Sequence, residues 1–450
     1  MAFRAAATAG GAPWAELAAA VRRAASAGGF DLHEAGRRGL RETRDGPPSA
    51  QAEIRTFGSD EKALRVVLYR DNHAWCPYCH KVWLQLEEKR VPYRVEKVSM
   101  NCYGTKSRAF LSKTARGLLP ALEIDGHFYT ESSKIMQLIE ETFPERPLLP
   151  ASGPEKGVSQ RLLALERELF GAWLHWLRAE ESPRARREFE RAMDATDRVL
   201  EASGGRFFLG AEVSLADVVF ASSLERIAAS ILYYKGLRVK GGRWPSINAW
   251  FAAMEEREAY RATQSDFHTH VHDLPPQIGG CLASGSPEQR MAAQEIDGRD
   301  GRSWKLPLPP LTLESLEPGS EVPALDRLEA ANALVHCHEG VLRSSRGGPA
   351  ADAAFRYVVR ALVEGVEGLQ GSADPLRPGS LDSSAAASLR WTRDRICVPR
   401  DMSFPAARQL RAHLNWAADI IDPRDGWQGV PLPTSDRRDS DPVAFAAASL

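Results

Sequence analysis

An α/β unit, an all-helical unit behind it and a further helical region make up the fold class that this sequence predicts. Three observations predict it. Between residues 63 and 143 short apolar runs alternate with amphipathic stretches, and from 158 to 273 apolar residues recur at helical spacing. After a Gly-, Pro- and Ser-rich stretch at 274–318 the helical spacing returns over 319–425. At 450 residues the chain exceeds the size of one core, which suits three such units.

The elements follow in order. Residues 1–62 form an N-terminal extension rich in Ala, Arg and Gly, with Glu16 as its first acid. A short helix from Ala15 to Ala25 followed by a disordered arm is the reading there, with organelle targeting as the alternative. The run ALRVVLYR from Ala63 reads as a buried strand. A helix from Cys76 to Lys89 follows, opened by Pro77 in its first turn and carrying Val82, Trp83 and Leu86 at helical spacing. Tyr93 to Met100 is a second strand and Lys106 to Lys113 a short helix. Ala121 to Ile124 and His127 to Thr130 are a hairpin around Asp125 and Gly126, and Ser133 to Thr142 is a closing helix. The order β-α-β-α-β-β-α describes a compact α/β layer over 63–143.

A linker at 144–157 breaks that pattern. Helices from Val158 to Ala179, Pro183 to Ala202 and Leu215 to Leu232 build the all-helical unit at 158–273. Beyond the linker at 274–318, helices from Ala324 to Arg343, Asp352 to Leu369 and Phe404 to Ile421 precede a polar tail at 426–450. These three show no residue-level self-similarity to the preceding three.

Composition narrows the function. With 58 basic and 59 acidic residues there is no global field to hold nucleic acid or an anionic membrane. No apolar run approaches the roughly 18 residues that span a bilayer. Six cysteines are too sparse for a disulfide framework, so a reducing compartment fits: the cytoplasm, with a plastid or mitochondrion as the alternative. The expected ligand is small.

The segment WCPYCH carries the chemistry. It places Cys76 and Cys79 three residues apart at the first turn of a helix that follows a strand. Unpaired backbone N–H groups and the helix dipole stabilise a thiolate at Cys76, and Cys79 lies near enough to attack a mixed disulfide on it. A zinc pair is the competing reading of any such spacing. No second CxxC or His pair lies at finger-like spacing nearby, so no metal is expected.

With this motif in view, residues 63 to about 265 resemble a cytosolic glutathione transferase. CPYC is similar to dithiol glutaredoxins and to the cysteine-type transferases: omega, lambda and dehydroascorbate-reductase classes. Four further features agree. GLLP places Leu119 before Pro120, resembling the family's cis-proline turn, whose preceding residue offers its backbone to the cysteinyl part of glutathione. Glu131 and Ser132 resemble the acid and hydroxyl pair that grips the γ-glutamyl end, and a helix start suits that carboxylate. Lys106 stands where omega-type transferases carry a glutathione-binding lysine. In the helical unit SLAD at 214–217 reads as a capping box, with Asp217 similar to the family's buried aspartate, and RWPSINAWFAAMEERE at 243–258 resembles its last core helix. The resemblance implies a thioredoxin-like first domain, an all-α second domain, glutathione as co-substrate and a homodimer. The N-terminal arm and the C-terminal residues have no counterpart in it.

Weaker signals also call for placement. Trp173 and Trp176 read as core, with pocket lining for a hydrophobic co-substrate as the alternative, and likewise Tyr233 and Tyr234. His268, His270 and His272 would share one face only if extended, and they read as a loop. His336, Cys337 and His338 share no helical face.

The expected function is a glutathione-dependent thiol transferase or reductase. Cys76 attacks a disulfide or electrophile, Cys79 or a second glutathione releases it, and Leu119, Pro120, Glu131, Ser132 and Lys106 hold the tripeptide. A conjugating transferase is one alternative. A non-enzymatic binding or assembly module is the other.

Overall fold

The computed structural model describes residues 12–30, 44–46, 48–114, 116–149, 154–180, 182–309, 322–345, 348–369 and 383–423, with Glu317 and Leu381. The expected tail at 426–450 and most of the expected arm and targeting segment lie outside the described residues. The chain divides into two compact units: one over 40–296, the other combining the N-terminal residues with those from 297 onward.

The first unit opens with a five-stranded sheet of order β1-β3-β2-β4-β5, built from β1 (Ile54–Arg55), β2 (Val66–Asp71), β3 (Tyr93–Val98), β4 (Ala121–Ile124) and β5 (His127–Thr130). β2 and β3 are parallel and the other pairs antiparallel. A parallel pair needs a crossover, which helix α2 (Pro77–Lys89) supplies. The short α3 (Arg108–Lys113) is capped by Ser107, whose Oγ accepts from Phe110 N at 3.2 Å. Helix α4 (Ser132–Thr142) closes the layer. Leu68, Leu84, Leu122, Ile135 and Ile139 are all fully buried in this unit. The fold is thioredoxin-like, as expected.

Seven further helices complete this unit: α5 (Pro154–Arg178), α6 (Pro183–Ala202), α7 (Leu215–Lys235), α8 (Pro245–Glu255), α9 (Glu258–Thr263), α10 (Phe267–Ile278) and α11 (Pro287–Ile296). Helix α7 is buried along nearly its whole length. Its start is the capping box read from SLAD. Asp217 Oδ2 accepts from Ser214 N at 2.8 Å and Ser214 Oγ at 2.6 Å, while Oδ1 accepts from Phe208 N at 3.0 Å and Trp250 Nε1 at 2.8 Å. Burial still pushes the Asp217 carboxyl up, against these bonds.

The second unit packs α1 (Trp14–Ala27) with α12 (Pro323–Ser345), α13 (Gly348–Glu364), α14 (Ser383–Arg393) and α15 (Phe404–Ile421) around one core that includes Leu17, Val21, Phe355, Leu389 and Leu414. Among the described residues no helix is long and apolar enough to cross a membrane.

The structure differs from the expected organisation in four places. Within 1–62, β1 joins the sheet, and two residues are too few to show strand alternation. Also within 1–62, the expected short helix is α1, and it buries Leu17, Ala20, Val21 and Ala25 in a core, where a separate extension was expected. Helix α11 lies inside the expected linker at 274–318; it buries only Gln289 and Ala292, which left no apolar stripe to read. Helix α14 buries Ala385, Ala386 and Leu389, but interleaved Ser and Arg hid that face.

The HTHVH run is helical, not a loop. Helix α10 carries Pro275 and Pro276 in its last turn. Pro275 has no N–H for the Val271 carbonyl, and the Tyr234 hydroxyl donates to that carbonyl instead at 2.7 Å. Trp173 and Trp176 are both core residues, 1% exposed, and Trp173 Nε1 donates to Ser230 Oγ at 2.9 Å.

Candidate functional site

Sheet register gathers the candidate residues at one end of β2, β4 and β5. Tyr69 pairs with Ala121 and Ala121 with Thr130. Continuing those registers sets Asp71 opposite Leu119 and Pro120 opposite Glu131. The Leu119–Pro120 peptide is cis, and Glu131 adopts a φ of +71°, unusual for a residue with a side chain. Ser132 is the first residue of α4, so its hydroxyl and the free N–H groups of that helix start lie beside the cis-proline turn. Lys106 Nζ donates to the Gly117 carbonyl at 2.6 Å, which fastens the lysine to the GLLP loop.

Cys76 is the residue that caps α2, with Pro77 at the first helical position. Both Cys76 and Cys79 are free thiols and buried. The two sulfurs and a carboxylate oxygen of Asp71 lie within 4.8 Å of one another. Asp71, at the end of β2, accepts from Trp75 N at 2.8 Å and from Cys76 N at 3.2 Å through Oδ2, which fixes the turn into the helix. A hydrogen bond from the Cys79 thiol holds Cys76 below the usual thiol range, against burial and the Asp71 charge. Burial and the neighbouring Cys76 push Cys79 well up. The two thiols are thus shifted in opposite directions.

Two sulfurs and one carboxylate oxygen offer a cation three ligands. The oxygen that faces the loop already accepts two backbone hydrogens. The three histidines of HTHVH do not form one set, because a helix puts His268 and His272 on one face, their rings 4.5 Å apart, and turns His270 away.

The side chains that pattern reading missed stand behind the thiol. Arg226, on α7, donates through Nη2 to the Trp75 carbonyl and through Nη1 to Ser222 O at 2.6 Å. Its guanidinium lies 5.1 Å from the centre of the Trp75 ring. Glu225 Oε2 is 3.3 Å from His270 Nε2, and burial pushes the Glu225 carboxyl up to about 7. Burial, then the Arg226 charge, hold His80 and His270 well below the usual imidazole range. A charged pair inside the apolar run LADVVFASSLERIAASIL was the available signal.

The chain is similar to known proteins over parts of its length. Residues 75–142 match the family described as glutathione S-transferase, N-terminal domain, and residues 170–253 match glutathione S-transferase, C-terminal domain. The chain is 26% identical over 215 residues to glutathione S-transferase DHAR3, chloroplastic, of Arabidopsis thaliana, covering 46% of this chain and 75% of that one. It is 24% identical over 191 residues to glutathione S-transferase DHAR2 of the same plant, covering 42% and 84%. Among solved structures, glutathione transferase Omega 3C from Trametes versicolor is 27% identical with a TM-score of 0.40, covering 45% of this chain and 85% of that one. None of these alignments extends over more than half of this chain. The chain thus carries, in order, segments that match the N-terminal and the C-terminal domain of glutathione S-transferases, with a cysteine at the start of the crossover helix of the first.

Proposed function

We propose that this protein is a glutathione-dependent thiol transferase or reductase that works through a mixed disulfide on Cys76. The observation that carries the reading is the asymmetric thiol pair: Cys76 at a helix start and depressed, Cys79 one turn in and raised. Relatives that are named glutathione S-transferases support the co-substrate.

The Cys76 thiolate attacks the glutathione sulfur of a mixed disulfide, forming a Cys76–glutathione bond and breaking the S–S bond to the substrate, which leaves as a thiolate and takes a proton. A second glutathione thiolate then attacks the glutathione sulfur, releasing oxidised glutathione and restoring the Cys76 thiolate. Alternatively Cys79 loses its proton and attacks Cys76, forming an internal disulfide and releasing reduced glutathione. In this reading Leu119 offers its backbone to the cysteinyl part. Pro120 holds that turn, Glu131 and Ser132 take the γ-glutamyl end, and Lys106 pairs with a carboxylate. The protein acts on a small disulfide or electrophile.

The test compares removal of glutathione from a glutathionylated peptide with conjugation of glutathione to an aryl halide. The expected result is peptide turnover that Cys76→Ser abolishes, with little conjugation. Conjugation that survives Cys76→Ser, with no peptide turnover, would refute the proposal.

A further inference from the structure

The strongest unabsorbed feature of the first unit is its buried charge behind the nucleophile loop. Arg226 is 1% exposed, in the middle of a helix that is buried along nearly its whole length. Both its Nη groups are spent on neutral carbonyls, of Trp75 and Ser222. Glu225 Oε2 stands 3.9 Å from Nη1, too far for a hydrogen bond, and among the described residues Arg226 Nε has no hydrogen-bond partner. The guanidinium charge is therefore incompletely matched, and it sits against the peptide that joins Trp75 to Cys76.

We propose that Arg226 is a positioning residue for the Cys76 thiolate: it anchors the carbonyl that precedes the nucleophile and, with Arg70, supplies buried positive charge that offsets Asp71. The inference rests on the reading of Cys76 as nucleophile. Asp71 is a buried anion within 4.8 Å of both sulfurs and opposes a thiolate there. A thiolate beside it needs a positive charge in the same low-dielectric region, and the Arg226 guanidinium is attracted by Cys76 and by Asp71. Glu225 attenuates that cation when ionised. The charged and titratable groups facing this set are Arg70 and Asp71 from β2, Cys76, Tyr78, Cys79, His80 and Lys81 from the first turns of α2, Lys106 before α3, Glu225 on α7, Lys240 before α8, Tyr260 on α9 and His270 on α10. Arg226 thus lets a helix of the second domain set the reactivity of a thiol in the first.

The experiment is the rate of Cys76 alkylation by iodoacetamide from pH 5 to 9, read by peptide mapping on the full chain. Wild type, Arg226→Met, Arg226→Lys and Glu225→Gln are compared, each with its melting temperature. Arg226→Met is expected to slow Cys76 alkylation at pH 6 by about tenfold or more and to move the midpoint up, as loss of a neighbouring opposite charge does. Arg226→Lys keeps the charge and is expected to recover most of that rate even if its melting temperature falls. Glu225→Gln is expected to move the midpoint down. If Arg226→Met and Arg226→Lys melt alike and leave the profile where it was, or if Glu225→Gln leaves it unmoved, Arg226 is structural only and the inference is overturned. Should neither Arg226 variant fold, the Glu225→Gln profile alone decides. Wild-type Cys76 that fails to react while other cysteines do would refute the nucleophile assignment and this inference with it.

Discussion

Asp217→Ala offers a stability prediction whose size follows from four hydrogen bonds. The carboxylate accepts from Ser214 N, Ser214 Oγ, Phe208 N and Trp250 Nε1 at 2.6–3.0 Å, and it is fully buried. Truncation removes the helix cap, worth about 1 kcal/mol. It also leaves the Phe208 N–H and the indole N–H of Trp250 in a dry interior, each costing about 1–3 kcal/mol. The burial that pushes the carboxyl up is a cost that truncation relieves, so the expected net loss is about 3–4 kcal/mol, a large fraction of ordinary domain stability. Asp217→Asn keeps a carbonyl oxygen for Phe208 and Trp250 and gives up the two Ser214 bonds, for an expected loss of about 1–2 kcal/mol. Urea denaturation followed by the tryptophan fluorescence of the transferase domains measures both. A loss under about 1 kcal/mol for Asp217→Ala, or an equal loss for the two variants, would refute the reasoning.

Three other predictions follow from the same contacts. Arg55 and Glu87 form a buried two-bond pair, Nε to Oε1 at 2.9 Å and Nη2 to Oε2 at 2.8 Å, with the Tyr93 hydroxyl on the same carboxylate; Glu87→Ala should cost about 3–5 kcal/mol and speed hydrogen exchange at the Val95 amide, which bonds Glu53 beside β1. Glu225 is pushed up to about 7 from 4.5, so its contribution to stability is fully present below pH 4.5 and is lost as pH rises through 7. Glu225→Gln should flatten the melting temperature between pH 5 and 8, where wild type declines. Lys106→Met and Ser132→Ala should each raise the KM for glutathione about tenfold in the peptide assay with little change in the alkylation rate of Cys76, since both contact the tripeptide and neither touches the sulfur in this reading.

Much of the first unit was legible because its signals are local. Strand runs, the Asp125–Gly126 turn, the Pro77 helix start and the SLAD cap each depend on a few adjacent residues, and each lies where pattern reading put it. The CPYC spacing was equally local, since adjacent residues alone place a thiol at a helix start. What stayed hidden depends on contacts distant in sequence. Arg226 reaches Trp75 across 151 positions, and only the folded chain reveals which peptide it grips. Asp71 reads as the last residue of a strand, and its grip on the Cys76 amide comes from the tightness of the intervening turn. Helix α1 was legible as a short helix but not as part of a core, because alanine marks a core face only once a partner surface is known. The match between Trp14 Nε1 and Asp352 Oδ1, at 2.8 Å, spans most of the chain.

The central claim is tested most directly by intact-protein mass spectrometry after incubation with oxidised glutathione, comparing wild type, Cys76→Ser and Cys79→Ser. The account predicts a single glutathione adduct that accumulates in Cys79→Ser and is absent from Cys76→Ser. An adduct that persists in Cys76→Ser, or no adduct on any of the three forms, would contradict it.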